Sequence, residues 1–229
     1  MILKEIFQRA RHEKRWNLTE DEARQVLSEY GIPVVKSKVV KNLDEAVLAA
    51  KELGFPLALK VISPDIIHKT DVGGVILNIS DKENLEKSFF KMLSNLKKKT
   101  PKARIKGFLV QEMVESGQEV IIGGKKDKQF DQVVMFGLGG IFVEVFDDVS
   151  FRVVPIEKKD AEEMIEDIKG YKILKGFRGR EYSIDSIVDI LLQTSKLLEE
   201  NSEIVGLDLN PVLVWEDGAV AVDARIIFE

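Results

Sequence analysis

The sequence predicts an α+β protein of two α/β lobes with a cleft between them. The first part of the chain alternates capped helices with β-branched runs. The second part opens on short β runs separated by turns, then gives two helices and a closing hairpin. No internal repeat and no low-complexity linker interrupts either part.

The first clear helix begins at Thr19. Thr19-Glu20-Asp21-Glu22 has the form of a capping box, in which each end of the tetrad satisfies the other's backbone amide. Leu18 can pack on Ala23, and Val26, Leu27 and Tyr30 continue one apolar face. Gly31 supplies the stop, Pro33 prevents continuation, and the β-branched run 34–40 reads as a strand. Asn42 caps a helix through Leu53, Gly54 ends it, and 55–62 reads as a buried strand. A polar loop bearing Pro and Gly covers 63–74, a strand follows at 75–79, and Asp81 opens a helix to about Lys99. Pro101 and Gly107 punctuate the way into a strand at 108–112. These elements place an N-terminal segment at 1–18, a first lobe at 19–106 and a second lobe at 107–229.

In the second lobe 119–123, 132–136, 141–145 and 151–156 read as a meander. Helices follow at 158–169 and 183–201. A hairpin closes the chain: 204–215, a Glu216-Asp217-Gly218 turn, then 219–224.

Composition narrows the function. With 45% apolar residues over 229 positions the chain can bury a core. A net charge of −5 and a pI near 5.4 argue against a polyanion binder, so no nucleic acid is expected. Lys97-Lys98-Lys99 reads as the solvated end of a helix. No apolar stretch approaches the ~20 residues needed to span a bilayer. The start, Met1-Ile2-Leu3-Lys4-Glu5, lacks the apolar core of a signal peptide, so a cytoplasmic protein without membrane contact is expected. The absence of cysteine excludes disulfides, zinc–thiolate sites and cysteine nucleophiles. Charged residues at 32%, with no cysteine, point to a thermophilic source.

Four features can carry chemistry. Lys60 is a lone cation in the apolar strand Leu57-Ala58-Leu59-Lys60-Val61, and a buried ammonium needs an anion, either a carboxylate or a bound phosphate. Phe136-Gly137-Leu138-Gly139-Gly140-Ile141-Phe142-Val143-Glu144 brings backbone amides close to a ligand or simply makes a tight turn. It lacks the lysine and helix of a P-loop and does not open a helix as a Rossmann fingerprint does. In Leu207-Asp208-Leu209-Asn210-Pro211 the two polar side chains share one face of a strand. They offer oxygen ligands suited to magnesium, with Glu144 able to complete the shell; a strand-end turn is the alternative. His68 lies in the loop Ser63-Pro64-Asp65-Ile66-Ile67-His68-Lys69-Thr70-Asp71-Val72-Gly73-Gly74, where Asp65 and Asp71 can orient or charge it. His12, the other histidine, sits among charges near the N-terminus and reads as a surface residue.

This ordered set resembles ATP-grasp proteins: a first-lobe lysine, a glycine-rich segment, Gln111-Glu112-Met113-Val114, and a late Asp-x-Asn. More closely it resembles the β subunits of archaeal ADP-forming acetyl-CoA synthetases, the His68 loop being the most specific part. The resemblance spans the chain from the Thr19 helix to Ala224 and implies an ATP-grasp fold with the nucleotide between the lobes. By that resemblance Lys60, with Lys36 as a second candidate, would contact nucleotide phosphates, and Gly73, Gly74, Gly139 and Gly140 would also be nucleotide-binding. Gln111, Glu112, Met113 and Val114 would line the adenine pocket, and Glu119 would lie near the ribose or the cleft floor. Asp208 would hold Mg²⁺ with Asn210 or Glu144, Arg152 would steady the phosphate chain, and ATP or ADP would be the substrate.

The resemblance also makes His68 a phosphohistidine that relays a phosphoryl group between a partner and ADP. It assigns the CoA-binding and acyl-phosphate sites to a separate α subunit, in an α₂β₂ assembly. Two other readings compete: a stand-alone ATP-grasp carboxylate ligase and a non-catalytic nucleotide-sensing module. Only about twenty residues precede the Thr19 helix, short of the extra domain such ligases bring, and neither rival gives His68 a task.

Overall fold

The computed structural model describes residues 2–66, 68–140, 147–176 and 181–229. The chain forms two compact units, one of 35–115 and a larger one of 1–34 with 116–229. It opens in the larger unit on α1 (Ile2–His12) and α2 (Glu20–Glu29). Leu3, Ile6, Phe7 and Ala10 of α1 fall on one helical stripe and are all buried. Phe7 stacks on Phe228, ring centroids 4.4 Å apart. So the segment 1–18 contributes a core helix that the sequence does not announce. Eleven residues with no capping signal hold a helix mainly through packing.

α2 begins where the capping box puts it: the Thr19 amide donates to Glu22 Oε2 at 2.9 Å. Glu22 also closes a buried ion pair, accepting from both terminal nitrogens of Arg15 at 2.9 Å, while Arg15 Nε donates to Glu13 at 2.7 Å. Burial raises the Glu22 carboxyl, but the Arg15 guanidinium and the Thr19 amide outweigh it and hold it below its ordinary value. Arg15→Ala is expected to cost about 3 kcal/mol, at the low end for breaking a buried pair, because Arg9 stays 3.2 Å from Glu22. Denaturant unfolding reads this directly. A loss under about 1 kcal/mol would mean Arg9 alone satisfies the carboxylate.

The 35–115 unit runs β1 (Ser37–Val40), α3 (Leu43–Leu53), β2 (Leu57–Ile62), β3 (Val75–Ile79), α4 (Lys82–Lys99) and β4 (Gly107–Glu112). Its strands form an antiparallel sheet in the order β1-β4-β2-β3. Asn42 and Asp81 cap their helices, accepting from the amides of Glu45 at 2.9 Å and Asn84 at 2.8 Å. One face of the sheet, with Leu57, Leu59, Val61, Phe108 and Val110, packs on Ala46 and Ala50 of α3 and Phe89 and Met92 of α4.

The larger unit continues with β5 (Gln118–Asp127), β6 (Asp131–Leu138), β7 (Val149–Val153), α5 (Lys158–Asp167), α6 (Tyr171–Leu174), α7 (Ile184–Glu200), β8 (Ile204–Val214), β9 (Ala219–Ala221) and β10 (Ala224–Phe228). Among the described residues these strands form an antiparallel sheet in the order β10-β8-β5-β6-β7, with β9 paired to β8. Val120, Ile122, Val134, Phe136, Leu207 and Leu209 line its inner face with Met164, Ile187 and Leu191. The strand expected at 141–145 lies outside the described residues.

The division differs from the expected one in two places. β4 pairs with both β1 and β2 inside the first sheet, so the boundary falls after 115 rather than at 106. Residues 19–34 belong to the larger unit because α2 packs against β10, and Leu18 donates its amide to the Ile226 carbonyl at 2.9 Å. The closing hairpin also gains a strand: β9 stops at Ala221, and the chain turns to lay β10 along β8.

Candidate functional site

In the 35–115 unit, alternation puts Lys60 and Gln111 on the sheet face away from α3 and α4. Lys60 stands opposite Leu109, and Gln111 stands opposite both Ala58 and Ser37. Lys60 is 4% exposed and Gln111 2%. Among the described residues the buried Gln111 Oε1 finds no hydrogen-bond partner, so it can accept from an incoming donor.

The chain beyond Gln111 is held at the backbone. Glu112 donates its amide to the Lys36 carbonyl at 3.0 Å and accepts the Lys36 amide on Oε1 at 3.2 Å. Met113 donates its amide to the Pro56 carbonyl at 3.0 Å, and its sulfur accepts from the Asn78 amide. Val114 follows, half-buried, and the Lys36 side chain is exposed.

His68 is exposed on the loop between β2 and β3. Gly73 and Gly74 serve that loop by close packing. At Gly73 φ is +71°, and a Cβ would lie 2.5 Å from the Asn95 side chain; at Gly74 it would lie 2.6 Å from Val61. The close approach they allow is to the protein itself. Lys99, the end of the basic run, donates to the Asp71 carbonyl at 2.8 Å and so fastens the same loop.

In the larger unit Glu119 meets the glycine pair. Gly139 donates its amide to the Glu119 carbonyl at 2.9 Å, and a Cβ on Gly139 would lie 2.9 Å from that of Glu119. Gly140, at φ +64°, would place a Cβ 3.6 Å from the Glu119 carboxylate. Glu144 lies outside the described residues.

Leu209 is fully buried between half-buried Asp208 and exposed Asn210, so the two polar side chains project to the face away from the helices. Asp208 stands opposite Gly123 of β5 and Arg225 of β10. Burial, then repulsion from Asp223, pushes the Asp208 carboxyl above its ordinary value, with Arg225 opposing. Asp223 is thus a further acidic group of this site that the sequence does not flag. Only the return of β10 along β8 brings it near, and nothing local in Ala221-Val222-Asp223 reveals that. Buried Arg24 lies in its field and donates to the neighbouring Val222 carbonyl at 3.1 Å.

These oxygens fit magnesium, which takes one or two carboxylates and keeps its other positions for water and phosphate. Among the described residues no group of three His, Cys, Asp or Glu builds a fuller cage.

Arg152 does not join this set. It lies on β7 with Nη2 2.7 Å from Asp167 and 3.9 Å from Glu163 of α5, and Nη1 on the Phe151 carbonyl at 2.9 Å. The resemblance puts Arg152 at a phosphate chain; in the structure its guanidinium pairs with carboxylates of α5. His12 is exposed on α1.

Comparison with known proteins gives a single picture. The profile of the ATP-grasp domain family matches residues 9–228. The chain is 46% identical to the beta subunit of ADP-forming acetate–CoA ligase I of Pyrococcus furiosus, over 98% of this chain and 97% of that one. It is 50% identical to the ADP-forming acetate–CoA ligase I of Archaeoglobus fulgidus over 88% of this chain, and spans 30% of that longer protein. The dinucleotide-forming acetyl-coenzyme A synthetase 1 of Ca. Korarchaeum cryptofilum, solved with coenzyme A, Ca-AMPCP and HgCl⁺, superposes with a TM-score of 0.95 at 46% identity, covering 99% of each chain. The same synthetase with coenzyme A and Mg-AMPPCP has its phosphohistidine segment pointing towards the nucleotide-binding site; it superposes at 0.87 with 43% identity, covering 99% of this chain and 100% of that one.

Proposed function

Because the chain belongs to the ATP-grasp domain family, and within it to the beta subunits of ADP-forming acetate–CoA ligases, we propose that it is the nucleotide-binding subunit of an enzyme making ATP from acyl-CoA, ADP and phosphate. The observation that carries the relay is the setting of His68, an exposed imidazole on a loop tied down on both sides.

The partner, an α subunit in an α₂β₂ assembly, holds the CoA and acyl-phosphate sites and hands over a phosphoryl group. The neutral His68 ring is a good nucleophile near pH 7. One ring nitrogen forms the P–N bond as the phosphoryl group leaves its donor. That bond breaks when a terminal oxygen of ADP takes the phosphorus, and the ring returns to its neutral form.

The rest of the site positions the nucleotide and neutralises charge, which is most of what phosphoryl transfer requires. Lys60 and Lys36 meet phosphate oxygens. Gln111 accepts from the adenine amino group on its Oε1, with Glu112, Met113 and Val114 beside it. Glu119 takes the ribose, and Gly139 and Gly140, having no side chains, let the phosphates come close to the backbone. Asp208, Asn210 and Asp223 would hold Mg²⁺, which would neutralise phosphate charge when bound. Among the described residues no helix is long and apolar enough to cross a membrane, and the enzyme acts in the cytoplasm.

The test is affinity purification of the tagged chain from its host, then an assay of the recovered material for ATP made from ADP, phosphate and acetyl-CoA. A CoA-binding partner should co-purify and ATP should form. A chain recovered alone that turns over ATP with a free acid and an amine would replace this reading with a self-contained ligase.

A further inference from the structure

The loop 63–74 is fastened at its two ends by different means. After His68 the ties are to the backbone. Gly74 donates to the Lys69 carbonyl at 2.7 Å, Gly73 to that of Thr70 at 3.0 Å, and Val61 to that of Gly74 at 2.8 Å. Before His68 the main polar tie is a single carboxylate. Asp65 Oδ2 accepts the backbone amide of Arg104 at 2.7 Å and its Nε at 3.0 Å, while Oδ1 accepts Nη2 at 2.7 Å. Arg104 lies on the lead-in to β4, where Lys106 donates to the Ile62 carbonyl at 2.9 Å. The hydrogen bonds from Arg104 hold the Asp65 carboxyl down to about 2. Ile66, next along the chain, is 8% exposed and packs into the core of the unit.

We infer that Arg104 is a positioning residue for the phosphoryl relay: by fastening Asp65, three residues before His68, it fixes where the imidazole stands without touching substrate. The inference rests on the relay reading of His68. A two-pronged guanidinium–carboxylate pair with a third bond from the same residue's backbone specifies orientation as well as charge. At 59% and 31% side-chain exposure the pair contributes little to stability. A displacement of about 1 Å in a reacting group, by contrast, can cost about a hundredfold in rate. Rate and stability therefore respond differently to its loss, which a merely structural ion pair would not produce.

The test uses the chain assembled with its partner. Labelling of the peptide that carries His68 is followed from γ-phosphate-labelled ATP and Mg²⁺, with work-up at alkaline pH to preserve the P–N bond. In Arg104→Ala the labelling rate at saturating ATP is expected to fall about tenfold or more, with half-saturating ATP unchanged within about twofold. Arg104→Lys keeps the charge and the backbone amide but loses the fork, and should recover part of the rate. Asp65→Ala, which also loses the bond from the Arg104 backbone amide, should be at least as slow as Arg104→Ala, and the double variant no slower than Asp65→Ala alone.

Wild-type labelling in Arg104→Ala, or a double variant slowed by the product of the single effects, would overturn the inference and leave the relay standing. Absence of label on His68 in the unsubstituted enzyme would overturn the relay itself, and with it the task assigned to Arg104.

Discussion

His68→Ala is expected to lower turnover of the assembled enzyme by about a thousandfold or more while Mg-ADP affinity stays within about twofold. The two effects separate because the histidine is exposed on its loop, whereas the groups proposed to hold the nucleotide stand elsewhere: Lys60 in mid-β2, Gln111 in β4 and Asp208 in β8. Truncating an exposed side chain leaves no cavity, so the fold should be unaffected. The neighbouring fastenings, Asp65 to Arg104 and Gly74 to Lys69, do not pass through the imidazole. His12 is the only other histidine in the sequence and sits in α1, so the chain holds no second imidazole on this loop. His68→Asn serves as the conservative control: it keeps a polar group but cannot form a phosphohistidine, and should be equally slow. Steady-state ATP formation and calorimetric titration with Mg-ADP read the two quantities independently. Residual turnover above about a tenth of the unsubstituted rate would remove the relay role. A parallel loss of ADP affinity would move His68 into the nucleotide site instead.

What the sequence conveys here is what lies within a few residues. Thr19 with Glu22, Asn42 with Glu45, Asp81 with Asn84 and Ser183 with Ser186 are all bonded as their spacing implies, because a cap is a contact over three residues. Asp208 and Asn210 share a face because they lie two apart on one strand. What escapes is set by distant pairing. β4 enters the first sheet between β1 and β2, so the unit boundary moves to 115. β10 returns along β8 and brings Asp223 towards Asp208, and α1 is a helix largely because Phe228 and its neighbours are there to receive Phe7. Arg152 is the instructive case among the site residues. Nothing in the sequence around Arg152 announces its ion pairs, because only the position of α5 brings Asp167 and Glu163 to it.

Asp208→Asn is expected to weaken Mg-ADP binding by about tenfold or more while raising the stability of the ligand-free chain at neutral pH. Burial and the charge of Asp223 both resist ionisation of Asp208, so its carboxyl in the folded chain holds a proton to higher pH than in the unfolded one, whose value is near 3.8. A carboxyl raised in this way favours folding fully below the unfolded value, and that benefit is lost as pH rises through the folded one. At pH 7 the ionised Asp208 is therefore a burden on the empty protein. A divalent cation bound at this site would convert the same repulsion into attraction, so two acids in proximity suit a Mg²⁺ site. Removing the charge at Asp208 gives up the metal and relieves the repulsion together. The melting temperature of the nucleotide-free variant should exceed that of the unsubstituted chain at pH 7, with the difference closing as pH falls below about 4. Added Mg-ADP should then stabilise the unsubstituted chain far more than the variant, while ADP with chelator affects both alike. Unchanged Mg-ADP affinity in Asp208→Asn would sink the metal assignment, and an unchanged melting temperature of the empty chain at pH 7 would show that Arg225 already neutralises the pair.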